Sequence, residues 1–236
     1  GTITAGMTSI QVTGDLTVGA DITASSVSMS SVTTNLNAPV NSAGAVNMTS
    51  SGATTIAASV SGTAISISSS TMTISSAVST SGNLTLTSSD QMNIDAPVSA
   101  NDITLNANGL TTTAAITASG AFSMSNSGAS SLGAPISAGT LSLSSTMDLE
   151  GDLSVSGSMG TGGTLNILTG GTLSVATLES DIPEINIDGG TFAYTGGSFG
   201  SGEAITFNSG TISLSGNRTL TSSNALNQRL LGTSVS

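Results

Sequence analysis

The feature that most constrains this chain is a pair of apolar residues that returns every 19 positions. Val27/Met29, Val46/Met48, Ile65/Ile67, Leu84/Leu86, Ile103/Leu105, Phe122/Met124 and Leu141/Leu143 keep step over seven rungs. Between the members of each pair stands Ser28, Asn47, Ser66, Thr85, Thr104, Ser123 or Ser142. Apolar, polar, apolar is the alternation of a strand with one face buried. A period near 20 built from short strands marks a solenoid, in which each rung covers the apolar face of its neighbour. The pattern predicts an all-β fold, a single-stranded parallel β-helix with about 19–20 residues per rung.

A second ladder runs through Leu36, Ile56, Ile74, Ile94, Thr112 and Leu132, followed four residues on by Val40, Val60, Val78, Val98, Ile116 and Ile136. Its steps are 20, 18, 20, 18 and 20 residues while the first ladder holds 19. Alternate rungs therefore carry an arm one residue longer, and a two-rung unit of 38 residues is expected. Pro39, Pro97 and Pro135 hold one place in this scheme. Proline donates no ladder hydrogen bond, so the three are expected at corners between strands.

Beyond Ser156 the punctuation changes to GGTLNI at 162–167, GGTLSV at 170–175, GGTFAY at 189–194 and SGTISL at 209–214. The last three begin 19 and 20 residues apart, so the rungs continue with a Gly-Gly-Thr turn in place of the Ala-Pro corner. Glycine there supplies positive φ or close backbone approach. The chain divides into lead-in rungs at 1–23, a regular solenoid at 24–156, less regular Gly-Gly-Thr rungs at 157–221 and a C-terminal cap or docking tail at 222–236. In the lead-in, Ile10/Val12, Leu16/Val18 and Ile22 alternate but read as out of the 19-residue register. In the tail, Asn224 to Leu231 reads as a short helix ending at Gly232. Phe192, Tyr194, Phe199 and Phe207 gather most of the aromatics and are expected to stack in the core, with a binding platform as the alternative.

Aromatic residues are 2% of the chain and Trp is absent, too few for a conventional globular core of this length. A thin coil is filled layer by layer with Val, Ile, Leu, Met, Ala and Thr and needs no large rings. Thirteen acidic residues stand against two basic ones, Arg218 and Arg229. That balance argues against nucleic acid or an anionic membrane as partner, since both demand Lys and Arg. Low charge with abundant Ser and Gly also describes disordered tracts, but such tracts have no reason to keep Leu, Ile and Val in register. Cysteine is absent, which removes disulfides and thiolate metal sites. No leader or membrane-spanning run stands in the sequence, and it begins at Gly1 without Met, as expected of a processed protein or an excised segment.

With no histidine, Ser-His-Asp and Cys-His systems are excluded. Carboxylates remain. Asp148, Glu150 and Asp152 alternate along MDLEGD and are expected to project from one strand face, a candidate calcium site or glycosidase constellation, with a solvated acidic patch as the bland alternative. Aromatic platforms and basic partners are missing nearby, so no catalytic residue is assigned and calcium is the one candidate cofactor. Glu179, Asp181, Glu184 and Asp188 flank Pro183 and read as a loop leaving the coil. The Gly-Gly-Thr runs lack the Lys of a phosphate loop and the aspartates of calcium-binding nonapeptides. Asn47, Asn83 and Asn217 head N-x-[ST] triplets, which arise readily by chance in so Ser/Thr-rich a chain. Outside the first ladder, Ser28/Ser30, Asn47/Thr49, Ser66/Ser68, Thr85/Thr87 and Ser123/Ser125 are expected to form two files of small polar groups, an arrangement that ice-binding solenoids present with threonine.

Phrases such as GNLTLTSSDQMNIDAPVSANDITLNANGLTTTAAITASGAFSMS resemble the repeat tracts of filamentous haemagglutinin-like adhesins, the large secreted proteins of two-partner secretion. The resemblance covers residues 24–156 well and the remainder loosely. It implies a right-handed parallel β-helix, exported across a bacterial outer membrane and used as a rigid shaft in adhesion or biofilm. The expected function is therefore structural rather than enzymatic, a secreted or cell-surface rod or filament subunit that self-associates head to tail. A module binding ice, calcium or glycan is the alternative, and a polysaccharide-degrading enzyme on the same fold comes last.

Overall fold

The computed structural model describes residues 1–144, 146–161, 164–178, 184–194 and 205–214. They form 25 strands, all paired in parallel, in a β-solenoid of about ten turns with no helix among the described residues. One turn shows the plan. Ala45–Ser50 makes a long side, Ala53–Ile56 a middle side and Val60–Gly62 a short side, after which Ala64–Ser69 opens the next long side. The paired apolar residues of the first ladder lie on the long side and point inward; those of the second ladder lie inward on the middle and short sides.

The register explains the alternating spacing. On the long side, Met29 pairs with Met48, Met48 with Ile67 and Leu86 with Leu105, each 19 residues apart. On the middle side, Thr34 pairs with Thr54, Thr54 with Met72 and Met72 with Met92, steps of 20, 18 and 20. The chain takes five residues from Met29 to Thr34 but six from Met48 to Thr54, and six from Val40 to Val46 but five from Val60 to Ile65. A residue gained at one corner is thus returned at another corner of the same turn. The 38-residue unit is this exchange between corners, and it leaves the long side strictly periodic.

One expectation is corrected here. Ile3–Gln11 pairs with the strand Ile22–Ser31 through Ile3 to Ile22, Thr8 to Val27 and Ile10 to Met29, all at 19 residues. The lead-in therefore belongs to the common register. Its first ladder position is occupied by Thr8 instead of an aliphatic residue, which hid the rung.

The prolines stand at corners, as expected. Pro39, Pro97 and Pro135 separate the middle from the short side, and their carbonyls accept from the amides of Ile22 (2.9 Å), Val78 (3.1 Å) and Ile116 (3.0 Å). Proline thus stays in the ladder through its oxygen while giving no N–H. Further along, the same corner carries Gly170, Gly189 and Gly210 at φ of 95°, 85° and 116°, the left-handed region that an L side chain enters only with strain. Beside the first of these, a Cβ on Gly171 would lie 2.2 Å from the carbonyl oxygen of Leu149, fixed backbone of the preceding turn.

The interior is one aliphatic column. Phe192 and Tyr194 are fully buried in it with ring centroids 6.3 Å apart, so these two aromatics pack the core. Phe199, residues 179–183 and the tail at 222–236 lie outside the described residues. Polar groups enter the interior at the corner between long and middle sides. There Ser31 and Thr34 share a 2.6 Å hydrogen bond, Thr34 and Ser50 another of 2.6 Å, and Thr54 donates to Ser50 at 3.1 Å. Thr112 is different. It sits among Ile94 and Leu132, 1% exposed, and its hydroxyl has no partner.

An unpaired buried hydroxyl costs about 1–3 kcal/mol, and Val has the same shape without it. Thr112→Val is therefore expected to raise the unfolding midpoint, read by thermal or denaturant melting; a lower midpoint would show that the hydroxyl is paired. Gly171→Ala is expected to cost more than about 2 kcal/mol through its backbone clash. Gly19→Ala, with no atom within 4 Å of the added carbon, is the neutral control.

Candidate functional site

Outward side chains of the long side stack in register. One file runs Ser28, Asn47, Ser66, Thr85, Thr104, Ser123, Ser142, and the other Ser30, Thr49, Ser68, Thr87, Asn106, Ser125. All are uncharged and small, and the two files anticipated from the sequence exist as continuous rows. They offer a surface with regular hydroxyl spacing but no group capable of proton transfer at neutral pH.

The three acidic residues of MDLEGD are not brought to one strand face. The strand Met147–Leu149 ends at Leu149, and the amides of Glu150 and Gly151 both donate to the carbonyl of Leu132, at 3.0 and 2.9 Å, as the chain turns the corner. Asp148 therefore lies on the middle side, Glu150 on the corner, and Asp152 begins the next strand on the short side. The alternation in sequence spans a bend, which is why it does not converge. Among the described residues no group of three or more His, Cys, Asp or Glu stands close enough to hold a metal ion. Of the second acidic group, Asp188 is exposed and accepts from the Ser209 hydroxyl at 3.3 Å, while Glu179 and Asp181 lie outside the described residues.

Asp148 has a different setting. The Asn166 amide, on the next turn, donates to its Oδ1 at 2.8 Å, and Asn186 donates to Asn166 Oδ1 at 3.1 Å, so a carboxylate and two amides form a chain along the middle side. Above Asp148 the surface is recessed. The chain takes six residues from Met124 to Ser130 but only four from Leu143, the partner of Met124 on the next turn, to Met147. The middle-side step from Leu132 to Leu149 accordingly shrinks to 17. This corner is two residues shorter than the one before it, and that longer corner, Ser127–Ala129, overhangs it. The result is a notch of about 430 Å³. Its walls are Asn126, Ser130, Thr146, Asp148 and Asn166 with the overhanging corner above. Asn126, 8% exposed, donates from Nδ2 to the Ser130 hydroxyl at its back. Sequence reasoning reached Asp148 but not this notch, whose signal is the short Leu143–Met147 interval.

The fold and these surfaces define a parallel β-solenoid with polar sides. No protein-family model, curated protein or solved structure matches the chain.

If the three carboxylates stay apart, calcium has no site among them. Ligand at a hundredfold its dissociation constant stabilises by about 2.7 kcal/mol, several degrees in a melting curve. Millimolar calcium is therefore expected to leave the unfolding midpoint unchanged; a calcium-dependent rise abolished by Asp152→Asn would show that they assemble.

Proposed function

We propose that this chain is a length of extracellular structural rod, serving as the shaft of a bacterial surface adhesin or as the subunit of a surface filament. One observation carries the reading: the long side keeps its 19-residue register from the first strand to Leu143, while corners absorb the variation. A coil so regular transmits force along its axis through backbone hydrogen bonds in every turn. Its stiffness is the function, and at about 4.8 Å per turn ten turns extend about 48 Å. The likeness to filamentous haemagglutinin repeats in period and composition supports the same role and a secreted or cell-surface location.

Continuation by end-to-end stacking is supported by the first turn. Among the described residues, strand Ile3–Gln11 pairs on one side only, with Ile22–Ser31, and it contains neither proline nor a charge, the usual guards of an edge strand. Ile3, which lies over the buried Ile22, is 43% exposed and Met7 75% exposed. Such an edge accepts a further rung, and a head-to-tail contact that does not close propagates into fibres.

Electron microscopy and light scattering of the purified chain test this. Rods or filaments that lengthen with concentration are expected; a compact monomer at every concentration would end the filament reading. Because the chain carries net charge −11, association is expected to be faster at 0.15 M salt, where the screening length is about 8 Å, than at 0.01 M, where it is about 30 Å. Proteolysis should use a protease of broad specificity. Trypsin has only Arg218 and Arg229 to cut, whatever the fold.

A further inference from the structure

The notch beneath Ser127–Ala129 is a place where the coil departs from its own period, and polar groups of successive turns line the recess that the departure opens. We infer that it is a binding site for a neutral sugar unit, such as one residue of an uncharged glycan. The inference does not depend on the rod reading, since a short monomeric solenoid would carry the same notch.

The argument is one of chemistry and size. Ligand sites usually run from about 300 to 1,000 Å³ and are mostly apolar. This one, at about 430 Å³, shows polar and apolar surface in nearly equal parts, its amides, hydroxyls and one carboxylate interleaved with carbon, so the occupant must itself carry both hydroxyls and apolar faces, as a sugar ring does. Each group is a planar or hydroxylic partner for sugar hydroxyls: Asp148 accepts, Asn166 both donates and accepts, and Ser127, Ser130 and Thr146 do either.

The positions are also held from behind. Asn166 is fixed between Asp148 and Asn186, at 2.8 and 3.1 Å. Ser127 donates to Asn108 Oδ1 at 2.9 Å, tying the overhang to the turn before it. Groups already oriented lose little freedom on binding, which is how a small polar site gains affinity.

Charge narrows the class. No cationic side chain lines the notch and one carboxylate does, so anionic sugars, phosphates and nucleic acid are repelled. A single carboxylate is also too few for calcium, which takes six to eight oxygens and usually several carboxylates.

The test uses the full chain and a panel of neutral methyl glycosides, with a uronic acid as the charged comparison, in saturation-transfer NMR followed by titration. Saturable binding of at least one neutral glycoside is expected, with the uronic acid at least about tenfold weaker. Asp148→Ala and Asn166→Ala should each weaken binding about tenfold, the usual consequence of losing one hydrogen bond to a charged or preoriented group. Asn93→Ala, outward on the same side several turns away, should leave binding unchanged, and circular dichroism should show all three variants folded. No saturable transfer from any neutral glycoside up to about 50 mM would overturn the proposal, as would binding that survives both notch substitutions within twofold, since a site of this affinity class falls in the millimolar range.

Discussion

Everything in this molecule depends on the parallel backbone ladder between one turn and the next. A three- to six-residue strand has no stability alone, and its amides and carbonyls need partners along both edges. The coil satisfies them by supplying each strand with a copy of itself one turn before and one turn after. Because side chains alternate with period two, a slip of one residue would turn Leu84 and Leu86 outward and Thr85 inward. Burial of the aliphatic column therefore fixes the pairing as firmly as the hydrogen bonds do, and each turn is stabilised chiefly by its two neighbours.

Strict register on one side requires tolerance elsewhere, and the corners provide it. Long and short corners alternate, and the residue gained between Met48 and Thr54 is given back between Val60 and Ile65. Corner chemistry changes along the coil without disturbing the sides it joins: Pro39, Pro97 and Pro135 fix φ in the first part, while Gly170 and Gly189 use the left-handed region in the second. Both devices leave a carbonyl or a close backbone approach facing the adjacent turn. The interior hydroxyls follow the same logic. Ser31, Thr34, Ser50 and Thr54 enter the core only beside a corner, where they can bond one another.

Much of this was legible in the sequence because inward positions tolerate few residue types. Leu84/Leu86 and their equivalents marked the long side, Ile94 and Val98 the other two, and Pro97 the corner between them. What escaped had a physical reason. Thr8, pairing with Val27, fills an inward position with a residue equally at home outside, so the first turn read as out of register. Asp148, Glu150 and Asp152 have strand-like spacing, but two amides bonding one carbonyl of Leu132 turn the chain between them. Thr112 looks in sequence like one more β-former, and only its surroundings reveal a hydroxyl without a partner.

The same distinction separates shape from chemistry. A side that repeats identically can present only a lattice of small hydroxyls, because any larger or charged group would recur beside itself in every turn. Recognition of a discrete molecule needs an interruption, and it must fall at a corner, since an interruption on a side would break the ladder. The two-residue shortfall between Leu143 and Met147 meets that condition. It shifts no pairing out of parallel, leaves Leu132 over Leu149, and still opens a recess in which a carboxylate and amides meet. In a solenoid, then, the residues to suspect of function are those beside a change in corner length, and Asp148 and Asn166 stand there.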